Sequence, residues 1–200
     1  MEFKKFYNLL SWELKQSSLE DHDSNYEYIN FDDAMYYTNE CIKELVEMNG
    51  NPFTTEEDFS FPEVTTIYRL PDMYNSASGY FFNDQWFKIS DSSDQYARVR
   101  CINDRDLIFN PAIQVGEKIT MRVVKYPADI CTGSDSVVFP PQFQRLLRLH
   151  IANRVMGRKG KEMAQRITIE YERLLARWQL YGKTVKTSSF MQFGGYGFGR

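Results

Sequence analysis

The apolar spacing of this chain changes period twice, which restricts its possible folds more than any other feature. Residues 3–15 repeat Phe3, Phe6, Leu10 and Leu14 at three- and four-residue steps, and Tyr7 and Leu9 widen the stripe. That spacing predicts an amphipathic helix. The stretch from Ser17 to Tyr28 is polar, acidic and unpatterned, and reads as a loop. Asn30 then opens a second helix as its N-cap, with Asp32 and Asp33 in the first turn, where the helix dipole favours negative charge. Ala34, Thr38, Cys41, Leu45 and Met48 line one face of it; Asn49-Gly50 closes it and Asn51-Pro52 forbids continuation.

From 53 to about 126 the period is two. Val64–Leu70 is β-branched and bounded by Pro62 and Pro71. Tyr80–Phe82, Trp86–Ile89 and Tyr96–Cys101 are short strand candidates between turn residues, and Asp106–Phe109 stops at Asn110-Pro111. Lys118–Tyr126 alternates polar and apolar most clearly before Pro127. The period then returns to helical. Behind Pro140 and Pro141 come Phe143, Leu146, Leu147, Ile151 and Val155 on one face; Gly157-Arg158-Lys159-Gly160 breaks the pattern. Met163, Ile167, Tyr171, Leu174 and Trp178 open another face, and Gly182 stands where a C-cap glycine is expected.

The predicted class is α+β. Residues 1–52 supply N-terminal helices, 53–138 a β-rich insertion, 139–183 a helical hairpin completing a bundle, and 184–200 an extended arm. The insertion reads as a small antiparallel sheet or sandwich. The expected bundle core is Phe143, Leu147, Ile151, Ile167, Tyr171, Leu174 and Trp178. The tail sets Phe190, Phe193, Tyr196 and Phe198 among four glycines without a stripe, so it cannot form a core by itself. It reads either as a frayed terminus or as an arm that orders on a partner, with its aromatics as anchors. An aromatic every two to three residues favours the arm.

No apolar run is long enough for a membrane span, and the first residues carry Glu13 through their apolar part, unlike a signal peptide. Synthesis inside the cell is the expectation. Three widely spaced cysteines, at 41, 101 and 131, argue against a disulfide framework and against a zinc site. His22 and His150 lack a partner histidine or cysteine at ligand spacing, and His150 reads as a packed or half-exposed helix residue and not as a general base. Glu56-Glu57-Asp58 lacks the alternating ligands and glycine of a calcium loop and reads as a solvated charge run. No nucleotide cradle, nucleophile elbow or metalloprotease motif is present. The residues thus point to no catalytic site, metal or cofactor, and to a non-enzymatic role.

Net charge is −3, but residues 1–95 hold 6 Lys/Arg against 19 Asp/Glu, and residues 96–200 hold 18 against 8. Such a split suits a nucleic-acid face, or subunits that stack acidic end to basic end. Arg145, Arg148, Arg154, Arg158, Lys159 and Arg166 make the hairpin a candidate basic surface, facing DNA or a neighbouring subunit. The plainer alternative is that arginines cover the edges of an amphipathic stripe with their methylene stems. No helix-turn-helix spacing or zinc finger supports sequence-specific readout.

The order of these features resembles a family. Ile67-Tyr68-Arg69-Leu70-Pro71-Asp72-Met73-Tyr74-Asn75 is similar to the strand-then-L-P-D motif of head-to-tail adaptor proteins from tailed bacteriophages, above all the tail tubular protein A type of short-tailed phages. Asp106–Phe109, Ile119–Tyr126 and Val138–Phe143 follow in family order, with Glu170-Tyr171-Glu172 in the last helix. The likeness spans roughly residues 30–182; the first fifty residues and the tail match only in character. It implies a virion structural protein, made in the host cytoplasm and placed at the neck, forming a ring of typically twelve subunits beneath the portal. The implied partners are the portal protein, a downstream tail or nozzle protein, further copies of the chain, and double-stranded DNA passing through the lumen without sequence-specific contact. No membrane is implied. The aromatic tail becomes the portal-binding arm. The rival reading is a basic-surface, sequence-independent nucleic-acid-binding module.

Overall fold

The two changes of period produce two folding units, one of residues Met1–Asn49 with Pro127–Arg200 and one of Gly50–Tyr126. A computed structural model describes residues 1–17, 28–82, 84–91 and 93–191 of the protein, the last ten of these by backbone alone. Over those residues the chain is α+β, with four helices and two small, mostly antiparallel sheets. The segment 127–138, assigned from sequence to the β insertion, goes with the helices.

In the helical unit, α1 (Phe3–Ser17) buries Phe3, Phe6, Leu10 and Leu14 completely, as its spacing predicts. The first-turn amides of α1, which have no partner within the helix, donate to carbonyls of the 127–138 segment: Phe3 N–H to Asp135 O at 2.8 Å and Lys4 N–H to Gly133 O at 3.0 Å. Helix α2 (Phe31–Met48) is capped by Asn30, whose side-chain oxygen accepts from Asp33 N–H at 2.7 Å.

A single 3₁₀ turn over Pro141–Phe143 leads into α3 (Gln144–Arg158), which packs against α1, α2 and α4. With helices around it, α3 buries Leu149, His150, Ala152 and Met156 beyond the expected stripe. A central helix cannot be served by one apolar face.

Helix α4 runs Gln165–Met191. Gly182 lies inside it and is not its cap. An internal glycine costs only about 1 kcal/mol relative to alanine, too little to stop a helix with no proline behind it. The backbone thus stays helical where the sequence reading has the arm begin, and Phe190 falls in the last turn. Phe193, Tyr196 and Phe198 lie outside the described residues.

Trp178 of α4 is fully buried, 5.0 Å ring to ring from both Phe139 and Phe143. Its indole N–H donates to Leu45 O near the end of α2 at 2.9 Å, and Asn49 Nδ2 donates to Trp178 O at 2.7 Å. Trp178 is therefore tied to the end of α2 twice, through its indole N–H and through its backbone carbonyl.

The β unit holds two four-stranded sheets. One has the order β1 (Thr54–Ser60), β8 (Lys118–Lys125), β3 (Tyr74–Phe82), β4 (Gln85–Lys88). The other runs β2 (Thr65–Arg69), β7 (Asp106–Ile113), β6 (Val99–Cys101), β5 (Ser90–Asp91), antiparallel except for β5 with β6. Both sheets feed one core: Phe59, Tyr80, Met121 and Val123 from the first, Val99, Leu107, Phe109 and Ile113 from the second.

Strand β1 includes the acidic run expected to be solvated. It pairs antiparallel with β8 along its length, and β8 also supplies a partner for each acid: Glu56 pairs with Arg122 at 2.9 Å, Glu57 with Lys125 at 2.9 Å, and Asp58 accepts from Thr120 at 2.6 Å. Strand β7 continues beyond Phe109 through a cis Asn110–Pro111 peptide, where the sequence suggests an end.

Candidate functional site

The densest polar cluster lies in the helical unit. Cys41 and Glu44 stand one turn apart on α2, His150 and Arg154 one turn apart on α3, and Tyr171 comes from α4. His150 Nε2 lies 3.0 Å from a Glu44 carboxylate oxygen, to which it donates. In the neutral ring, Nδ1 then accepts from the Tyr171 hydroxyl at 2.7 Å. Arg154 donates to the other Glu44 oxygen and lies beside the Cys41 sulfur. Burial pushes the Cys41 thiol up to about 12, and burial likewise raises Tyr171.

Cys41, Glu44 and His150 bring donor atoms within 4.8 Å of one another, which is the geometry of a partial metal-ligand set. The remaining group does not suit an ion. The Arg154 cation already neutralises Glu44 and lies against the sulfur, so a divalent metal would have to displace it and deprotonate a thiol held neutral. What the arrangement does with its present partners is cross-link three helices. Sequence alone gave His150 no partner, because Glu44 is 106 positions away and Tyr171 is 21 away. The signal that carries it is the matched spacing of Cys41 with Glu44 and His150 with Arg154, each pair on one helix face.

A second cluster uses the basic residues expected to face DNA or a neighbour. Glu13 of α1, 3% exposed, lies 3.4 Å from Arg145 Nε and 3.6 Å from Arg148 Nη2. Arg145 also pairs with Glu170 of α4 at 2.9 Å. Burial lowers the Arg148 pKa, opposed by the Glu13 charge. Arg158 donates to the Tyr37 hydroxyl and lies over its ring; Lys159 donates to Tyr28 O at 2.6 Å. Five of the six candidate basic residues thus have partners inside the unit. Arg166 is exposed and has no carboxylate partner among the described residues. Of the expected bundle core, Phe143, Leu147, Ile151, Ile167, Leu174 and Trp178 are buried, and Tyr171 is half-buried with its hydroxyl on His150.

The L-P-D turn in the β unit has a defined job. Arg105 donates to Leu70 O at 2.9 Å and to the Asp72 carboxylate, while Leu70 N–H donates to Arg105 O at 2.9 Å. One arginine therefore ties the turn after β2 to the residue before β7. Its charge and hydrogen bond hold the exposed Asp72 carboxyl below the usual range.

The charge split along the sequence does not survive folding. The helical unit carries 16 Lys/Arg and 16 Asp/Glu, a balance of 0, and the β unit 8 and 11, a balance of −3. Neither unit is an acidic or a basic pole. The chain matches no known protein-family model and no curated protein.

Proposed function

We propose that this chain is a head-to-tail adaptor of a tailed bacteriophage, a structural protein that forms a ring below the portal, extends the DNA channel and receives the tail. The observation that carries this reading is the discontinuous helical unit: helices from both ends of the chain share one core, and the β unit is inserted between them. That is the architecture the motif order implies. In this reading the four helices are the bundle that stands beside its neighbours in the ring. The β unit meets downstream tail components, and the C-terminal segment with Phe190, Phe193, Tyr196 and Phe198 reaches the portal.

A nucleic-acid module would need free cations, and five of the six candidate basic residues are spent on internal carboxylates, hydroxyls and carbonyls. That shortfall ranks the duplex-binding alternative second. The deciding experiment is native mass determination of the protein with its cognate portal rings. The expected product carries one copy of the chain for each portal subunit. The quadruple alanine variant of the tail aromatics is expected to lose that complex while keeping its helical circular dichroism. A portal complex absent across salt conditions, with salt-sensitive binding to random duplex, would replace this reading with the alternative.

A further inference from the structure

Helices α2 and α4 carry opposite charge although the unit as a whole is balanced. Helix α2 has one Lys against five Asp/Glu, and α4 has five Lys/Arg against two Glu. Their solvent faces also match in pattern. On α2, Asp32, Tyr36 and Glu40 recur every four residues, with Asp32 exposed, Tyr36 55% exposed and Glu40 half-buried. On α4, Arg166, Ile169 and Arg173 recur at three and four, with Ile169 59% exposed. The acid-to-acid span is about 12 Å and the base-to-base span about 10 Å at 1.5 Å per residue. Each stripe therefore places one apolar contact between two charges of one sign. None of these four charged groups has an ion-pair partner among the described residues.

We propose that α2 of one copy docks on α4 of a second copy. The partner is another copy because the complementary stripe is on this same chain. The two surfaces are unlike, so the contact is head to tail and propagates around a ring when its rotation closes. This supplies the seam of the ring proposed above and rests on that reading for closure; the pairing itself rests on the stripes.

The test uses two full-length variants, Asp32→Arg with Glu40→Arg, and Arg166→Glu with Arg173→Glu. Sedimentation and native mass are followed at low salt, free and on portal rings. Wild type is expected to associate, with weakening as salt rises. Either variant alone is expected to lose at least tenfold in association, with unchanged circular dichroism. Their equimolar mixture is expected to recover it, because each reversed α2 then meets a reversed α4. Recovery by the mixture excludes misfolding as the cause of the loss. A mixture that fails to recover, or a single variant that fills portal rings as well as wild type, overturns the seam. In the second case the adaptor reading stands. Conversely, wild-type association with no portal complex retires the adaptor reading and keeps the seam.

Discussion

Cys41 shows what burial does to one ionisable side chain. Its thiol is pushed from 9.0 to about 12 by burial first, then by the Glu44 charge, against the pull of Arg154. The folded state therefore keeps a proton that the unfolded chain sheds above its ordinary pKa. Stability from this group is complete below 9.0 and falls as pH rises towards about 12. While only the unfolded thiol ionises, the loss is about 1.4 kcal/mol per pH unit. Burial raises Tyr68, Tyr80 and Tyr171 as well, which adds to the loss above their ordinary value of 10.0. Cys41→Ala is expected to flatten the first part of this decline. Urea midpoints measured at about pH 8 and about pH 10 should separate less in the variant than in wild type. Equal separation would mean that the folded thiol titrates normally.

Between elements, one close approach in the β unit is at Gly50, before the 3₁₀ turn Asn51–Phe53 that leads into β1. A Cβ there would lie 2.5 Å from Val124 Cγ1 and 2.8 Å from Cγ2 on β8. Gly50→Ala is expected to destabilise by about 1–3 kcal/mol through overpacking. Val124→Ala in the same chain should return part of that loss, so the two changes should be non-additive in denaturant unfolding. Additive losses would place the strain elsewhere.

These contacts also show which elements could be read from the residues. Helices α1 and α2 were legible because their stripes are regular and Asn30 marks a start; β8 was legible because it alternates. Strand β1 was not, since Thr-Thr-Glu-Glu-Asp has no apolar alternation and its acids meet Arg122, Lys125 and Thr120 only across the ladder with β8. The three-helix cross-link was half legible: the helical spacings of Cys41–Glu44 and His150–Arg154 were visible, but their meeting depends on packing across more than 100 positions. The hairpin's positive charge was plain. That Arg145, Arg148 and Arg154 would be taken up by Glu13, Glu44 and Glu170 was not, because two of those acids lie on other stretches of the chain.

At the scale of the molecule, the β unit has its own core drawn from both sheets. Residues 50–126 expressed alone are therefore expected to fold, with β-type circular dichroism and a cooperative urea transition; a non-cooperative unfolding curve would show that this core needs the helical unit. The helical unit has no such independence in time. Its first two helices leave the ribosome well before α3, which begins at Gln144, and the Asn49–Trp178 bond spans 129 positions. At 5–20 residues per second, α3 starts to emerge roughly 5–20 s after α2 is finished. Through that interval Phe3, Phe6, Leu10 and Leu14 have no α3 to cover them, and Leu45 O awaits the indole of Trp178. The nascent chain thus carries an exposed greasy surface for seconds on a timetable set by the length of its insertion.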